Sequence, residues 1–126
     1  QKYAENEAWL LFQLNDKPVY TKSDGDYNVL AIMDVSSGLI HGMEFLAAST
    51  EELSEFEAKK LLNSVEGKVG ARPKYLFVYS SEKHDRLKLV AASMGIKTVP
   101  EKGKNLDPVT EKARTGFAAH VIRGAR

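Results

Sequence analysis

The feature that most constrains the fold is a pair of strand-like segments separated by only three residues. Tyr27–Val35 and Leu39–Leu46 are rich in apolar and β-branched residues, and Ser36-Ser37-Gly38 lies between them. A three-residue connection that contains glycine is typical of a β-hairpin whose glycine adopts the left-handed conformation. The sequence therefore predicts two adjacent antiparallel strands in the first half of the chain.

One further strand is predicted before this hairpin. Ala8–Leu14 is a continuous apolar run of strand length, and the turn-forming residues Asn15–Pro18 close it. Thr21–Asp26 predicts a loop, because short polar side chains and a glycine favour turns. Its Asp24-Gly25-Asp26 lacks the twelve-residue ligand series of a calcium loop, so we interpret it as a plain turn.

A helix is predicted directly after the hairpin. Ser49 and Glu52 have the spacing of a capping box, in which each side chain satisfies a free amide of the first turn. Gly67 and Gly70 are expected to end the helix. Its apolar stripe at helical spacing consists of Leu53, Phe56, Leu61, Leu62 and Val65.

The second half predicts an alternation of strand and helix. Pro73–Tyr79 contains an apolar run typical of a strand buried on both faces, and Ser81 can cap a second helix that Gly95 ends. Ile96–Val99 predicts a short strand ended by Pro100. The last helix is predicted to begin at Asp107-Pro108 and to have an apolar edge formed by Val109, Ala113, Phe117 and Val121.

This order predicts an α/β fold with a mixed sheet of about five strands and helices packed on the sheet. A length of 126 residues suits a single domain, residues 1–126, with one core. Apolar residues form 43% of the chain and charged residues 28%, which is the composition of an ordinary globular protein.

Charge and cysteine content narrow the functional classes. A net charge of +1 does not favour nucleic acid as a partner, and the absence of cysteine excludes disulfides, thiolate metal sites and a cysteine nucleophile. A cytoplasmic location is the expectation. Apolar runs such as Val29–Met33 are far shorter than the roughly 20 residues of a membrane span. Residues 1–7 show no signal peptide, and a start at Gln1 is compatible with a fragment.

The predicted order resembles that of the ribonuclease H-like superfamily, and the chain resembles integrase and transposase cores from Ala8 to about Phe117. Val29–Gly42 is similar to the family's second and third strands, where an aspartate and a small polar turn precede a strand that ends near glycine. Uncharacterised bacterial domains are similar in order. Later similar landmarks are Arg72-Pro73 before Tyr75–Tyr79 and Met94-Gly95-Ile96 before Lys102-Gly103-Lys104.

The resemblance implies two divalent metals, held by carboxylates from the middle of the first strand, the end of the fourth strand and a later helix. At these places the sequence has Gln13, then Ser80 and Ser81, and only Glu111 is an acid. Asp34 matches an aspartate that is not usually a metal ligand in that family. We therefore interpret the chain as a degenerate, non-catalytic member that acts in binding or assembly.

Residues 80–85 follow the fourth strand, at the edge of the sheet where ligands often bind to free helix amides. His84 and Asp85 complete the candidate cleft, together with Gln13, Asp34, Ser80, Ser81 and Glu111. The alternative interpretation is a helix cap with an acidic first turn. A metal site would require His41 or His84 to meet Asp34 or Asp85, and histidines without ligand spacing are usually structural.

Other motifs give little support to enzymatic classes. Ser80 and Ser81 lack the glycine-flanked elbow of serine hydrolases, and Gly67–Gly70 lacks the spacing of a phosphate-binding loop, so no cofactor is expected. Lys102 and Lys104 are candidate phosphate contacts, whereas the alternative is a solvated basic face. The other basic residues of this C-terminal quarter are Lys112, Arg114, Arg123 and Arg126.

Two competing functions remain open. The first is a metal-dependent nuclease or phosphodiesterase that uses Asp34, Asp85 and Glu111 in a rearranged site. The second is an assembly domain in which the third or fifth predicted strand pairs with a second copy, giving a homodimer. The biological partner is not predicted by any motif.

Overall fold

The computed structural model describes residues 3–15, 19–21, 25–102 and 110–117. None of the helices in these ranges has the length and apolar character needed to cross a membrane. The strands are β1 (Ala8–Gln13), β2 (Val19–Thr21), β3 (Gly25–Asp34), β4 (Ile40–Ala47), β5 (Tyr75–Tyr79) and β6 (Lys97–Glu101). The helices are α1 (Glu55–Val69), α2 (Asp85–Ser93) and α3, which covers residues 110–117.

The strands form one mixed sheet. β1 is central, since it pairs antiparallel with β3 and parallel with β5, while β4 and β6 are the outer strands. β4 pairs with one edge of β3. On the other edge, the short β2 pairs with the first part of β3 and β1 pairs with its last part. The sheet is therefore five strands wide, in the order β4-β3-β1-β5-β6. This confirms the predicted α/β architecture.

Both faces of the central strands are buried, which explains their uninterrupted apolar runs. Successive residues of β1 point to opposite faces. Trp9 and Leu11 belong to the core layer beneath α1 and α2, while Leu10 and Phe12 belong to the other layer. Phe117 of α3 packs on that second layer.

The predicted start of the first helix is wrong. The capping box is formed by Ser54 and Glu57, with Glu57 N donating to Ser54 Oγ (3.1 Å) and Ser54 N donating to Glu57 Oε1 (2.9 Å). The chain contains the Ser-x-x-Glu pattern twice, and the second copy directly precedes the helix. Phe56 consequently points to solvent, 75% exposed, instead of joining the apolar stripe.

The predicted ends of this helix are half correct. Gly70 ends α1 in the left-handed conformation (φ 71°), and its N–H donates to Glu66 O at 2.8 Å. Gly67 lies within the helix. The predicted left-handed Gly38 of the hairpin (φ 76°) and the predicted Gly95 stop after α2 (φ 79°) agree with the structure.

Three further boundaries differ from the prediction. Ser81 lies in an exposed turn, and α2 begins at Asp85 with no side-chain cap from its own neighbours. Pro100 lies inside β6, which tolerates it because no other strand in the described ranges pairs with the outer edge of β6. Gly25 and Asp26, expected in a turn, begin β3. Asp107, Pro108, Val109 and Val121 lie outside the described residues.

Candidate functional site at the carboxyl ends of the central strands

The candidate cleft lies where the parallel strands β1 and β5 both end. β1 runs two residues beyond its last partner in β5, because the final aligned pair is Leu11 and Val78. The Leu14 amide bonds Val29 of β3, so the Gln13 amide faces away from β3, towards the side where β5 has already ended. Its backbone groups therefore need partners from outside the sheet.

Two distant side chains supply those partners. Gln13 N donates to Glu82 Oε2 at 3.1 Å, and Arg114 Nε donates to the Gln13 carbonyl at 3.0 Å. The Gln13 side-chain amide donates to Asn15 O at 2.8 Å. Gln13 thus anchors the cleft through its backbone, while its side chain bonds the chain that leaves the strand.

Glu82 and His84 form a carboxylate–imidazole pair beside this strand end. His84 Nε2 lies 2.8 Å from Glu82 Oε1, so both Glu82 oxygens have protein partners. His84 is only 4% exposed, and its Nδ1 is buried without a protein hydrogen-bond partner. A general base must reach the proton that it abstracts. The imidazole is enclosed by protein, so this pair is arranged as a structural link.

Arg114 places a positive charge at the end of β1. Its guanidinium lies 5.6 Å from the centre of the Phe12 ring and donates to Glu111 Oε2 through Nη1 at 2.8 Å. The Arg114 side chain is 18% exposed, whereas that of Glu111 is 62% exposed. Glu111, the acid that the resemblance assigns to metal binding, therefore forms an ion pair with Arg114, one helical turn later.

Ser80 and Ser81 are exposed at the end of β5. Ser80 N and Ser80 Oγ both donate to Glu101 O, at 3.0 and 3.3 Å, and thereby extend the pairing of β5 with β6. Asp85 is exposed on the first turn of α2.

The amides at the start of α2 are less available to an anion than expected. Asp85 N donates to Glu52 Oε2 at 2.7 Å, and Glu52 is 6% exposed. Arg86 Nε lies 3.5 Å from the other Glu52 oxygen. A buried carboxylate of the chain itself thus caps this helix and complements its dipole.

Asp34 does not lie in the cleft, so its grouping with the other candidates is wrong. It pairs with Trp9 at the opposite end of β1, four positions or roughly 13 Å from Gln13. Its carboxylate accepts hydrogen bonds from Asn6 N (2.9 Å), Ser37 N (3.1 Å) and Ser37 Oγ (2.7 Å). Burial opposes its charge, but the hydrogen bonds from Ser37 and from backbone amides prevail and lower its pKa. Asp34 stabilises the hairpin turn.

The histidines and lysines of the prediction are dispersed. His41 lies in β4 where the pairing with β3 shifts register, and its Nε2 is buried without a protein partner. Lys102 and Lys112 are exposed. Lys104, Arg123 and Arg126 lie outside the described residues.

The side chains around this strand end do not fit two divalent metals. Gln13 supplies a neutral amide, Glu82 has both oxygens engaged, and Glu111 is paired with a guanidinium. Within residues 3–15, 19–21, 25–102 and 110–117, no group of three His, Asp or Glu side chains is arranged to hold a metal ion. The donor set lacks the converging negative charge that two cations require.

The sequence analysis placed Glu82 in the 80–85 segment without a role of its own, assigned Glu52 to a capping box, and treated Arg114 as a surface cation. Arg114 follows Glu111 by three residues, a helical spacing that signals an ion pair. No local signal identifies the contact of Glu82 with Gln13 or that of Glu52 with Asp85, since these partners are remote in the sequence.

No protein-family model and no curated protein matches the sequence. Solved structures match its fold. A chain of the simian T-cell lymphotropic virus intasome, determined by cryo-EM in complex with the PP2A regulatory subunit B56 gamma, aligns with a TM-score of 0.54 and 10% identity over 88% of this chain. The catalytic core domain of BIV integrase gives a TM-score of 0.52 and 12% identity over 87% of this chain.

This chain spans 41% of the intasome chain and 65% of the BIV chain. Together with the five-strand mixed sheet, these similarities show that it has the ribonuclease H-like fold of integrase cores. The predicted fold resemblance is confirmed.

Proposed function

We propose that this ribonuclease H-like chain is a non-catalytic domain that acts in binding or assembly. The observation that carries the proposal is the position of Arg114, whose guanidinium bonds both the end of β1 and Glu111. A fixed cation at the place where the resemblance expects converging carboxylates opposes divalent metal binding by Coulomb repulsion. The engaged oxygens of Glu82 add to this argument.

The competing nuclease function rests on Asp34, Asp85 and Glu111. Asp34 lies near the other end of β1, and both its oxygens bond the hairpin and the N-terminal segment. Asp85 and Glu111 are both exposed, and the described residues contain no group of three acids or histidines arranged to hold a metal ion. The geometry therefore offers this trio no common site, and we retain it only as an outcome of the test.

A manganese titration followed by amide-resolved NMR, combined with cleavage assays, tests the proposal. We expect weak broadening scattered over exposed carboxylates, and no cleavage of single- or double-stranded DNA or RNA with magnesium or manganese beside an active control nuclease. Cleavage that is lost in Glu111→Gln or Glu82→Gln would overturn the proposal. Broadening centred on Gln13 and Glu111 would also contradict it.

The cleft's part in binding is tested separately. Once a partner is identified, Gln13→Ala and Glu111→Ala should weaken its binding if the cleft forms the contact surface, whereas Lys112→Ala is the matched exposed control on α3. Unchanged binding in both cleft variants would place the contact elsewhere on the domain. The proposed location is the cytoplasm, with which a cysteine-free sequence is compatible, and cell fractionation tests it.

A further inference from the structure

β4 is an outer strand whose second edge pairs with no strand in the described parts of the chain. Val29 of β3 directs its amide and carbonyl to Asn15 and Leu14, on the β1 side. Because these groups alternate along a strand, Leu30 directs its own towards β4, where Glu44 is its partner. The backbone groups of Met43 and Phe45 therefore point outward, away from the sheet.

The side chains of the same two residues are apolar and exposed. Met43 is 52% exposed and Phe45 is 60% exposed. Phe45 and Met43 lie beside the buried β3 residues Val29 and Ala31, respectively. The Phe45 and Tyr27 rings are arranged edge to face, with their centres 6.2 Å apart. Outward-facing backbone groups together with exposed apolar side chains are typical of an edge strand that pairs with another chain.

At the opposite edge of the sheet, the outer side of β6 pairs with no strand among the described residues, and this strand has two features that oppose pairing. β6 has Pro100, which lacks an N–H, and the exposed Lys97. Proline and lysine are two of the common devices against edge pairing. β4 has neither, and Glu44 is the single acidic residue among its eight.

We propose that β4 pairs antiparallel with β4 of a second copy of this chain, so that two sheets join into one across a two-fold axis. A two-fold axis makes each strand its own partner, which requires a surface that is complementary to itself. A chain with a net charge of +1 has little electrostatic repulsion against its copy. This inference is independent of whether the cleft is catalytic.

The register of the pairing follows from the strand itself. The pairing of β4 with β3 is regular from Gly42 to Ala47, and it shifts near His41. An axis through Glu44 would place two carboxylates directly opposite each other, which is destabilising. An axis through Phe45 instead places Phe45 opposite its copy and Met43 opposite Ala47. Aromatic pairs across strands are favourable, so the axis passes through Phe45.

Sedimentation velocity of the whole chain over a concentration series tests the dimer. We expect a monomer–dimer equilibrium for the wild type. Phe45→Lys should associate about tenfold more weakly, because two lysines would then face each other in place of the aromatic pair. Phe56→Lys is the matched control, since Phe56 is an exposed aromatic on α1. Thermal unfolding of both variants verifies that they remain folded.

Disulfide cross-linking tests the register, and the natural absence of cysteine makes single-cysteine variants unambiguous. Phe45→Cys should form a disulfide-linked dimer on mild oxidation, because directly paired residues have Cα atoms about 5.5 Å apart. Met43→Cys, displaced from the axis, and Phe56→Cys should not.

Three results would overturn the proposal. One is a wild-type protein that stays monomeric at high concentration. Slow amide exchange at Met43 and Phe45 in that monomer would mean that another segment of this chain pairs with β4. Another is a dimer that Phe45→Lys leaves intact. The third is preferential cross-linking through Met43→Cys, which contradicts the register. Nuclease assays on the same samples report on the cleft alone, so failure of the dimer and failure of the proposed function are distinguishable.

Discussion

Substitution of Gly42 by alanine is expected to destabilise the protein, because α1 packs directly over this position of β4. A Cβ atom at Gly42 would lie 2.5 Å from Val65 Cγ2, which is far inside van der Waals contact, and 3.6 Å from Leu61 Cδ1, which is ordinary contact. Valine in a helix has one strongly preferred rotamer, so its methyl group cannot turn aside at low cost. The helix must move instead.

The magnitude follows from two opposing effects. Overpacking of a core typically costs about 1–3 kcal/mol, and replacing a strand glycine by alanine returns roughly 0.5–1 kcal/mol of unfolded-state entropy. The backbone of Gly42 does not have positive φ, so alanine adds no backbone strain. The midpoints of these two ranges leave a net loss of about 1 kcal/mol, or roughly 4 °C in Tm for a domain of this size.

A double-mutant cycle with Val65→Ala isolates the clash. Urea unfolding of the wild type, both single variants and the double variant gives the coupling energy. Without the Val65 methyl groups, the new methyl group of Gly42→Ala has room and fills part of the cavity, so the substitution should become neutral or stabilising. Gly67→Ala, within α1 and with no atom within 4 Å of its new Cβ, is the control and should stabilise by up to about 1 kcal/mol.

Two results would refute this packing argument. The first is a Gly42→Ala variant as stable as the wild type. The second is additivity of the two substitutions within about 0.5 kcal/mol, which would mean that the residues do not share the strain.

Three further substitutions test the hydrogen bonds that hold the site and the hairpin. Asp34→Ala should cost about 1–2 kcal/mol at neutral pH, because it removes the buried carboxylate that accepts three part-buried hydrogen bonds from Asn6 and Ser37. Since the folded pKa of Asp34 lies below its ordinary 3.8, this stabilisation is complete above that value and is lost as pH falls through the folded pKa, so urea titrations of wild type and variant should converge in acid. Glu52→Gln should lower the free energy of unfolding by roughly 1 kcal/mol and speed amide exchange at the start of α2. Glu51→Gln, at an exposed position, is the control and should change neither quantity. Equal effects of the two substitutions would contradict the capping role of Glu52. Arg114→Gln should lower stability by about 1–3 kcal/mol by leaving the Gln13 carbonyl without its donor, and a wild-type urea midpoint would contradict that contact.

The strands were predictable because their signals are local. The apolar run that became β1 and the two runs joined by Ser36, Ser37 and Gly38 have strand length and flanking turn residues, which favour strands over a buried helix. Gly38 and Gly70 could be assigned as left-handed positions for the same reason. The element order then limited the topology to few choices.

The cap of α1 shows where local patterns become ambiguous. Ser49 with Glu52 and Ser54 with Glu57 both match the capping box, and the sequence prediction assigned the cap to the first pair. The tertiary structure distinguished them, because Glu52 is committed to the amide of Asp85, 33 residues away.

The candidate site was determined almost entirely by tertiary structure. Glu82 meets Gln13 across 69 residues, and Arg114 meets it across 101. Such contacts leave no periodic pattern in the sequence. They depend on where β1 and β5 end relative to each other and on which helix packs beside that end. The sequence by itself determined the ribonuclease H-like order of elements and the loss of two expected acids. Only the folded chain decided that a guanidinium occupies the end of β1 and that Asp34 serves a turn, because these outcomes depend on distances between remote residues.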